Sequence, residues 1–507
     1  MDRDELIHSR RWIILGIMSL SLIIVMLNNV TLNVALPELS KDLQADNTEL
    51  QWIMDAYALI FGGTLLVMGA IGDRFGRKGA LQLGLIMVAV ASAMTAMYAS
   101  SSEEVIAARA VMGLGAALVM PATLSVVVVV FPPEERGKAV GIWAAMAGVG
   151  APIGLLVGGW AVENYDWQMV FWINVPIILL ALLLGLLLVP KTKDEKERPL
   201  DPIGALLSVA ALGSILYAII EGPSIGWVSS EILGMGALGV VLSVIFVRWE
   251  RQTEFPMLPL DFFKDRGFTM GLVALMLTFY VMFSFMFTQM LHFQLVREHT
   301  ALEAALRFLP LPLGLMPAAA NSDRLVKKFG SNNVVASGLT LVTIGMLIFT
   351  TVTIDTDYTK LALIFFLLGL GMGLTMAPAT TLVMDSIPTD KAGVGSATND
   401  TSREIGGALG IAIGGSVLNE YYQRNMVVPE ELEYLGQLPF ESFPAAMRIG
   451  GDLLSEGNIV GAQLIENAQL AFVEGMVASV YVAAAIAFIA AILVKKYMPP
   501  RIIENKK

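Results

Sequence analysis

The residues GAIGDRFGRK, at positions 69–78, form a short charged turn between two apolar blocks. A weaker copy of this stretch, NSDRLVKKFG, stands at positions 321–330. The pattern GLGAALVMP from Gly113 returns as GLGMGLTMAP from Gly369, and glycines 150, 154 and 158 return at 406, 410 and 414. Each pair is separated by about 255 residues, a constant offset that indicates an internal duplication of the chain.

Composition places the duplicated chain in a membrane. Of the 507 residues, 56% are apolar and only 15% are charged. The apolar residues fall in blocks of about 20, the length of helix that crosses a hydrocarbon core about 30 Å thick. We therefore predict an all-α polytopic membrane protein and exclude an ordinary soluble one. Fourteen transmembrane helices are predicted, at about 12–35, 51–71, 80–99, 104–127, 138–162, 169–189, 203–221, 231–248, 268–295, 306–323, 333–353, 361–385, 394–418 and 471–494.

The distribution of lysine and arginine predicts the orientation. An even number of spans puts both termini on one side of the membrane. If that side is the cytoplasm, 25 lysines and arginines lie in cytoplasmic segments and only 6 outside. This bias agrees with the excess of positive charge that cytoplasmic loops carry, so we expect cytoplasmic N- and C-termini.

The duplication predicts the domain organisation. Spans 1 to 6 and 9 to 14 would form two pseudo-symmetric six-helix bundles, with spans 7 and 8 inserted between them. The predicted boundaries are 1–190 for the first bundle and 191–265 for the linkers and inserted helices. The second bundle is predicted at 266–507, with an external loop at about 419–470 that we expect to form a short helical hairpin over the outer mouth. Two such repeats are typical of carriers, which bind substrate between the bundles near the membrane midplane.

Several chemistries are excluded by what the sequence lacks. It contains no cysteine, and its three histidines have no ligand spacing, so neither a metal site nor a redox cofactor is expected. No nucleophile constellation suggests an enzyme. No nucleotide-binding motif occurs either, so a carrier of this sequence would draw its energy from a gradient.

Charged residues within spans are costly and are therefore functional candidates. Asp400, Arg403 and Glu404 lie in span 13, and their i+3 and i+4 spacings put them on one face of a helix. Burial would favour the neutral form of Glu404, which lies nearest the midplane, so that it could load and release a proton or bind a cation instead. The alternative is that Asp400 and Arg403 form a buried pair that only stabilises packing. Further candidates within spans are Asp55, Arg109 and Glu221.

The motifs together resemble the fourteen-helix drug:proton antiporters of the major facilitator superfamily. Residues 69–78 are close to the superfamily signature. Other stretches similar to this family are NNVTLNVALP at 28–37, WIMDAY at 52–57, WQMVFWINVP at 167–176 and NDTSREIGGALG at 399–410. The resemblance covers nearly the whole chain and implies the major facilitator fold in a bacterial cytoplasmic membrane.

This resemblance also implies roles for individual residues. Asp55, Asp400 and Glu404 would bind protons or cations, and Arg109 would modulate proton coupling. Asp73 would meet the positive N-terminal end of span 13 and close a cytoplasmic gate. The remaining gate residues are Gly69, Arg74, Gly76 and Arg77; the remaining cavity and coupling candidates are Arg403, Asn28, Asn29, Asn33, Tyr57 and Glu221.

Three positions depart from the pattern of the family. Asn28 stands where the family usually has an aspartate, so span 1 has lost a protonatable group. The antiporter motif of span 5 would have its proline beside Gly154, Gly158 and Gly159, but here the proline is displaced to Pro152. Leu315 is apolar where some relatives carry an acid for divalent cations, which argues against dicationic substrates.

We therefore expect a monomeric, proton-coupled antiporter that exports lipophilic cationic drugs, antiseptics or dyes. Its partners would be these small molecules, protons and membrane lipid, with no nucleic acid. One alternative is a proton-coupled transporter of an endogenous metabolite, a lipid or a self-made antibiotic on the same scaffold. A second alternative, from a different class, is a membrane receptor or assembly protein that transports nothing.

Overall fold

The computed structural model describes residues 3–35, 38–39, 42–43, 45, 47–192, 201–254, 256, 258–354, 356–436, 438–441 and 443–500. Within these ranges the regular elements are all helical. Fourteen described helices have at least 15 residues, and they follow the order of the fourteen predicted spans. They are α1 (Arg3–Val30), α2 (Asn47–Phe75), α3 (Arg77–Tyr98), α4 (Ser102–Val130), α5 (Pro133–Asn164), α6 (Asn174–Leu188), α7 (Pro202–Ile225), α8 (Ser230–Gln252), α9 (Arg266–Leu291), α10 (Pro310–Phe329), α11 (Ser331–Phe349), α12 (Tyr358–Asp385), α13 (Ala392–Asn425) and α14 (Val460–Tyr497).

Within the described residues, eleven helical segments are long and apolar enough to cross a membrane by length and composition; one of them, Gln168–Leu188, joins a short preceding helix to α6. The other three predicted spans are α5, α10 and α13. Of these, α10 ends in a run of charged residues, and α13 carries Asp400, Arg403 and Glu404 in its middle. Charges of this kind lower the apolar character of a helix, and they are tolerated in a span where they face the interior of a bundle.

Short turns with local caps separate successive helices. The side chains of Ser101, Ser229 and Asp265 accept hydrogen bonds from backbone N–H groups in the first turns of α4, α8 and α9, which satisfies donors that a helix leaves unpaired. Gly76 and Gly330 connect α2 to α3 and α10 to α11 with φ of 116° and 83°, conformations that favour glycine. The two charged turns that first indicated a duplication therefore share a backbone feature.

The packing of the helices repeats with the same period as the sequence. In the first set, α1–α6, the helix pairs α1–α5, α2–α4 and α3–α4 are in contact. In the second set, α9–α14, the corresponding pairs α9–α13, α10–α12 and α11–α12 are in contact. Each second-set helix stands eight places after its first-set counterpart. The fold is therefore the duplicated helix bundle that the sequence predicts.

The two sets meet along a limited group of helices. Helix α13 packs against α2 and α4, and α5 packs against α10 and α12. The inserted helix α7 packs against α8, and it also touches α2 from the first set and α13 from the second. The inserted pair thus lies beside the seam at which α2 meets α13, and Trp227 Nε1 donates to Ser416 Oγ of α13 at 2.8 Å.

Both ends of the described chain lie at one end of the bundle. Arg11 Nε donates to Glu135 Oε2 at 2.7 Å, and Ser331 Oγ donates to the Pro499 carbonyl at 2.9 Å. Lys327 Nζ, one turn before Ser331, contacts the carbonyl oxygen of Glu134 at 3.5 Å. We call the end that contains these residues the inner end; it is the end predicted to face the cytoplasm.

The segment between α13 and α14 differs from the sequence prediction. Helix α14 begins at Val460 rather than at 471, and a separate helix spans Phe443–Ser455. These helices form a hairpin in which Gly450 and Gly461 approach closely, and the ring of Phe443 packs on Phe472 at 4.7 Å. Hydropathy locates only the apolar part of α14. Residues 460–470 have a polar side, and they are helical because their other side packs on the helix Phe443–Ser455.

Candidate functional site

The middle of α13 brings two carboxyl groups and an arginine to the contact between the two sets. Asp400 is fully buried, and it accepts hydrogen bonds from Arg403 Nη1 at 3.3 Å and from Asn399 Nδ2 at 3.1 Å. Glu404 is only partly buried. A methyl group on Gly62 of α2 would lie 3.8 Å from Cβ of Glu404, so this carboxyl group is beside the first set. Asp400 thus has a fixed cationic partner, while Glu404 stays accessible.

Arg403 is held mainly by aromatic rings. Its guanidinium carbon lies 4.4 Å from the centre of the Phe279 ring on α9 and 5.4 Å from that of Trp143 on α5. Trp143 is itself oriented by a hydrogen bond from Nε1 to Thr123 Oγ1 of α4, at 3.1 Å. The arginine therefore connects the second set to the first through cation–π contacts.

A second buried arginine joins three helices of the first set. Arg109 of α4 donates from Nε to the Ile53 carbonyl at 3.0 Å and from Nη1 to the Asn28 carbonyl at 2.7 Å. Its guanidinium also lies 4.4 Å from the centre of the Tyr57 ring. Helices α1, α2 and α4 are thereby tied at one point near their outer ends.

Tyr57 extends the cluster around Arg109 towards α1. Its hydroxyl donates to the Val25 carbonyl at 3.0 Å, and its ring lies under Arg109. Two predicted residues, Tyr57 and Arg109, therefore share one buried site in the first set.

Polar groups on α1 also belong to this region. The side chain of Asn28 is buried, donates to the Ile24 carbonyl at 2.8 Å and accepts from Asn174 Nδ2 of α6 at 3.3 Å. The side-chain amide of Asn28 makes both hydrogen bonds without carrying a charge. The side chains of Asn29 and Asn33, also predicted for the cavity, lie outside the described residues.

The charged turn after α2 lies against the start of α13 at the inner end. Asp73 Oδ1 accepts from the Gly393 N–H at 2.9 Å, and Oδ2 accepts from the Val394 N–H at 3.0 Å. Arg77 donates from Nε to Asp73 at 2.8 Å and from Nη2 to the Thr389 carbonyl at 2.8 Å. A carboxylate at the positive end of a helix is stabilised by the unpaired N–H groups there. These bonds hold the inner ends of α2 and α13 together.

The glycines of this turn make the contact close. A methyl group on Gly69 would lie 2.6 Å from the Gly393 carbonyl oxygen, and one on Gly393 would lie 2.5 Å from the Asp73 carboxyl carbon. The guanidinium of Arg74 lies 5.4 Å from the centre of the Phe75 ring. Among the predicted gate residues, Gly69, Asp73 and Arg77 have contacts with the second set.

The weaker copy of the turn occupies the corresponding place on the other side of the inner end. Asp323 of α10 pairs with Lys327 at 2.8 Å, as Asp73 pairs with Arg77. A methyl group on Gly137, in the first turn of α5, would lie 2.5 Å from Asp323 Oδ1. Nearby, Arg136 Nη1 lies 3.5 Å from Asp385 Oδ1 of α12. The inner end is thus closed by two contacts of similar design.

Helix α5 uses its glycines to approach α1 and the helix Ala301–Arg307. A methyl group on Gly158 would lie 2.8 Å from the Thr31 carbonyl oxygen, and one on Gly159 would lie 3.2 Å from Leu302 Cβ. A methyl group on Gly154 would lie 3.3 Å from Thr31 Oγ1, slightly closer than an ordinary contact. The side chain of the displaced Pro152 lies outside the described residues.

Two further predicted positions have clear surroundings. Glu221 is buried in the inserted helix α7, which packs on α2 and α13. Leu315 is buried where α10 crosses α12, so closely that a methyl group on Gly373 would overlap its carbonyl oxygen. Phe279 was not singled out by the sequence, because its run, TFYVMFSFMF, offers several equivalent aromatic residues.

In the described part of the chain, no group of three or more His, Cys, Asp or Glu side chains is suited to a metal ion.

At the outer end, a pocket of about 470 Å³ is lined by Glu38, Asp42, Asp166, Trp167 and Gln168. Trp167 Nε1 donates to Asp42 Oδ2 at 2.7 Å in this pocket. The outer surface near α1 and α5 is therefore acidic.

Comparisons with known proteins agree with this architecture. The sequence profile of the Major Facilitator Superfamily matches residues 18–411. By structure, the chain is similar to the proton:xylose symporter XylE, with a TM-score of 0.62 at 13% sequence identity, covering 97% of this chain and 96% of that one. At this identity the likeness concerns the fold alone.

Curated relatives are resistance and efflux proteins of bacteria. The chain is 31% identical over 490 residues to the multidrug efflux pump LfrA of Mycolicibacterium smegmatis, covering 96% of both proteins. It is also 31% identical over 428 residues to the methyl viologen resistance protein SmvA of Salmonella typhimurium, covering 84% of this chain and 86% of the relative.

Proposed function

Because the chain belongs to the major facilitator superfamily, we propose that it is a proton-coupled antiporter that exports lipophilic, singly charged cations. Members of this family and the matched relatives are transporters and not enzymes. The protein is a multi-pass membrane protein, and its bacterial relatives indicate the inner membrane. Quaternary ammonium compounds and cationic dyes are the substrates that we propose.

The observation that carries the proposal is the pair of carboxyl groups on α13 at the seam. Asp400 is buried and paired with Arg403, while Glu404 beside it is partly exposed and faces α2. An accessible carboxyl group in a membrane interior can be neutralised by a proton or by a cationic ligand, and each excludes the other. Competition at one site is the chemical basis of exchange.

In the proposed cycle, a cation enters from the inner side while Glu404 is deprotonated. The two sets then rock about the bound cation, which closes the contact of Asp73 with the start of α13. A proton from outside displaces the cation, and the contact reopens. Exchange of one proton for one singly charged cation moves no net charge, so the pH gradient drives the proposed cycle and supplies about 1.4 kcal/mol, or about tenfold accumulation, per pH unit.

The proposal is tested with purified protein in liposomes that carry an imposed pH gradient. We expect ethidium to accelerate the decay of the gradient and to accumulate against its concentration. Glu404→Gln and Asp400→Asn should abolish this coupling, because an amide neither gains nor loses a proton at neutral pH. Glu474→Gln is the matched control, since Glu474 is an exposed carboxyl group within α14.

If neither ethidium nor other cationic dyes move or dissipate the gradient, the cation-export proposal fails. The competing function is transport of an endogenous metabolite, a lipid or a self-made antibiotic, and the uncharged Asn28 on α1 is the feature that favours it. Absence of dye transport in the wild type, together with cellular resistance that is unchanged in both Glu404→Gln and Asp55→Asn, would instead favour a membrane protein that transports nothing.

A further inference from the structure

The buried guanidinium of Arg403 occupies a slot made by two aromatic rings from different parts of the molecule. Arg403 is 2% exposed and Trp143 is fully buried. The guanidinium lies 4.4 Å from the ring centre of Phe279 and 5.4 Å from that of Trp143. Among the described residues, Nε of Arg403 has no hydrogen-bond partner, and Nη1 reaches Asp400 only at 3.3 Å. The two rings therefore provide much of the environment of this cation.

Such a slot has a defined chemical preference. A desolvated cation over an aromatic face gains about 2 kcal/mol, and a planar, delocalised cation also stacks on the ring. Asp400 supplies one negative charge beside the slot. A flat organic cation with a single charge would satisfy the same three partners as the guanidinium. A neutral molecule of the same shape would leave Asp400 without a positive partner.

The three residues belong to different moving parts. Phe279 on α9 and Arg403 on α13 are carried by helices that touch backbone to backbone, because a methyl group on Gly406 or Gly410 would overlap carbonyl oxygens of α9. Trp143 lies on α5 and is bonded to Thr123 of α4. A rocking motion of the first set against the second would therefore carry Trp143 away from Phe279 and Arg403 together.

We propose that Trp143 and Phe279 form the binding slot for planar organic monocations, and that Arg403 is the internal cation that takes their place in the slot once an external proton has released them. This proposal rests on the proposed function, since it names the substrate class and its site. With the inner end open, the rings are farther apart and admit a substrate cation between them, on Phe279 and beside Asp400. Once the cation has left towards the outside, Trp143 lies against Arg403, and the guanidinium fills the slot.

Equilibrium binding of ethidium to the purified, full-length protein in detergent tests the slot. Ethidium is planar and carries a permanent single charge, so its own charge does not change with pH. Trp143→Leu and Phe279→Leu should each weaken binding about tenfold, because each removes one aromatic face. Arg403→Gln should tighten binding about tenfold, because it removes the competing cation and retains a polar side chain of similar length.

A double variant separates competition from a general structural effect. If Arg403 competes for the slot, the tightening by Arg403→Gln should disappear in Arg403→Gln/Trp143→Leu. Trp143→Phe keeps an aromatic face and should retain most of the affinity. Trp172→Leu is the matched control, because Trp172 is an exposed tryptophan at the end of the short helix that precedes α6, and its loss should leave binding unchanged.

Two results would overturn the slot. One is binding within twofold of the wild type in both Trp143→Leu and Phe279→Leu. The other is a tightening by Arg403→Gln that is absent, or that persists when Trp143 is replaced. If the wild type still couples ethidium transport to a pH gradient, only the slot is refuted and the proposed function stands. If the wild type neither binds nor transports ethidium, both proposals fail.

Discussion

At the scale of single residues, Arg403 pairs with Asp400 on its own helix and lies against aromatic rings from two other helices. Asp400, Arg403 and Glu404 follow from i+3 and i+4 spacings, and the first two are in contact. The rings that enclose Arg403 come from α5 and α9, more than 120 residues away along the chain. Side-chain type and periodicity carry no information about such distant partners, so the slot follows only from tertiary contacts.

The buried Arg109 is predicted to stabilise the first set. Arg109→Gln removes two hydrogen bonds from a charged donor and the contact with Tyr57. Bonds to charged groups contribute about 1.5–3 kcal/mol each, so we expect a loss of about 3 kcal/mol after partial replacement by the amide. Thermal unfolding in detergent should show a lowered midpoint. Arg251→Gln, at an exposed arginine of α8, should leave the midpoint unchanged, and equal midpoints for both variants would refute a structural role of Arg109.

At the scale of helices, glycine spacing predicts close packing and the structure supplies the partner. Glycines 150, 154 and 158 of α5 face α1, and glycines 406 and 410 of α13 face the backbone of α9. The pairs α1–α5 and α9–α13 are equivalent under the duplication, so one packing device is used twice. Helix ends were harder to predict, as the start of α14 shows, because they depend on contacts outside the apolar region.

Replacing a glycine at the α9–α13 contact should separate these helices. A methyl group on Gly410 would overlap the Tyr280 carbonyl oxygen, and backbone atoms cannot move aside as a flexible side chain can. Gly410→Ala should therefore cost about 1–3 kcal/mol and lower the midpoint of thermal unfolding. Gly16→Ala is the control: nothing lies within 4 Å of the added methyl group, and alanine is the better helix former by about 1 kcal/mol. A Gly410→Ala protein as stable as the wild type would contradict the close contact.

At the scale of the whole molecule, the two sets are held at the inner end by a few polar contacts. Asp73 binds the start of α13, Asp323 lies against the start of α5, and Arg136 pairs with Asp385. In each of the first two, a carboxylate meets the first turn of a helix from the other set. Contacts of this kind are specific but few, so they can be broken without unfolding either bundle.

Loss of the Asp73 carboxylate is predicted to open the inner end. Asp73→Asn removes the charge that faces the Gly393 and Val394 N–H groups and weakens the bond to Arg77. Hydrogen bonds to a charged group contribute about 1.5–3 kcal/mol. Loss of about 1.4 kcal/mol from the free energy of the closed state shifts the equilibrium between the closed and open states about tenfold. The measurement is the distance between spin labels at Phe75→Cys and Phe329→Cys, exposed positions near the inner ends of α2 and α10.

The chain suits this measurement because it has no natural cysteine. Asp73→Asn should add or enlarge a population with a longer distance between the labels. Asp261→Asn, which removes an exposed carboxylate outside the long helices, serves as the control and should leave the distribution as in the wild type. A distance distribution unchanged by Asp73→Asn would show that this contact does not hold the inner end closed.

The sequence by itself determined that the protein is helical, that it lies in a membrane, that its helix bundle is duplicated and that the duplicated halves resemble a transporter family. These properties follow from local composition and from a repeat, which are carried by residues close together in the chain or at a fixed offset. The tertiary structure alone decided that Arg403 lies against Trp143 and Phe279, that the Tyr57 ring lies under Arg109, and that α14 extends to Val460. Each of these depends on packing between helices far apart in sequence, where the free energy of burial selects partners that local patterns cannot specify.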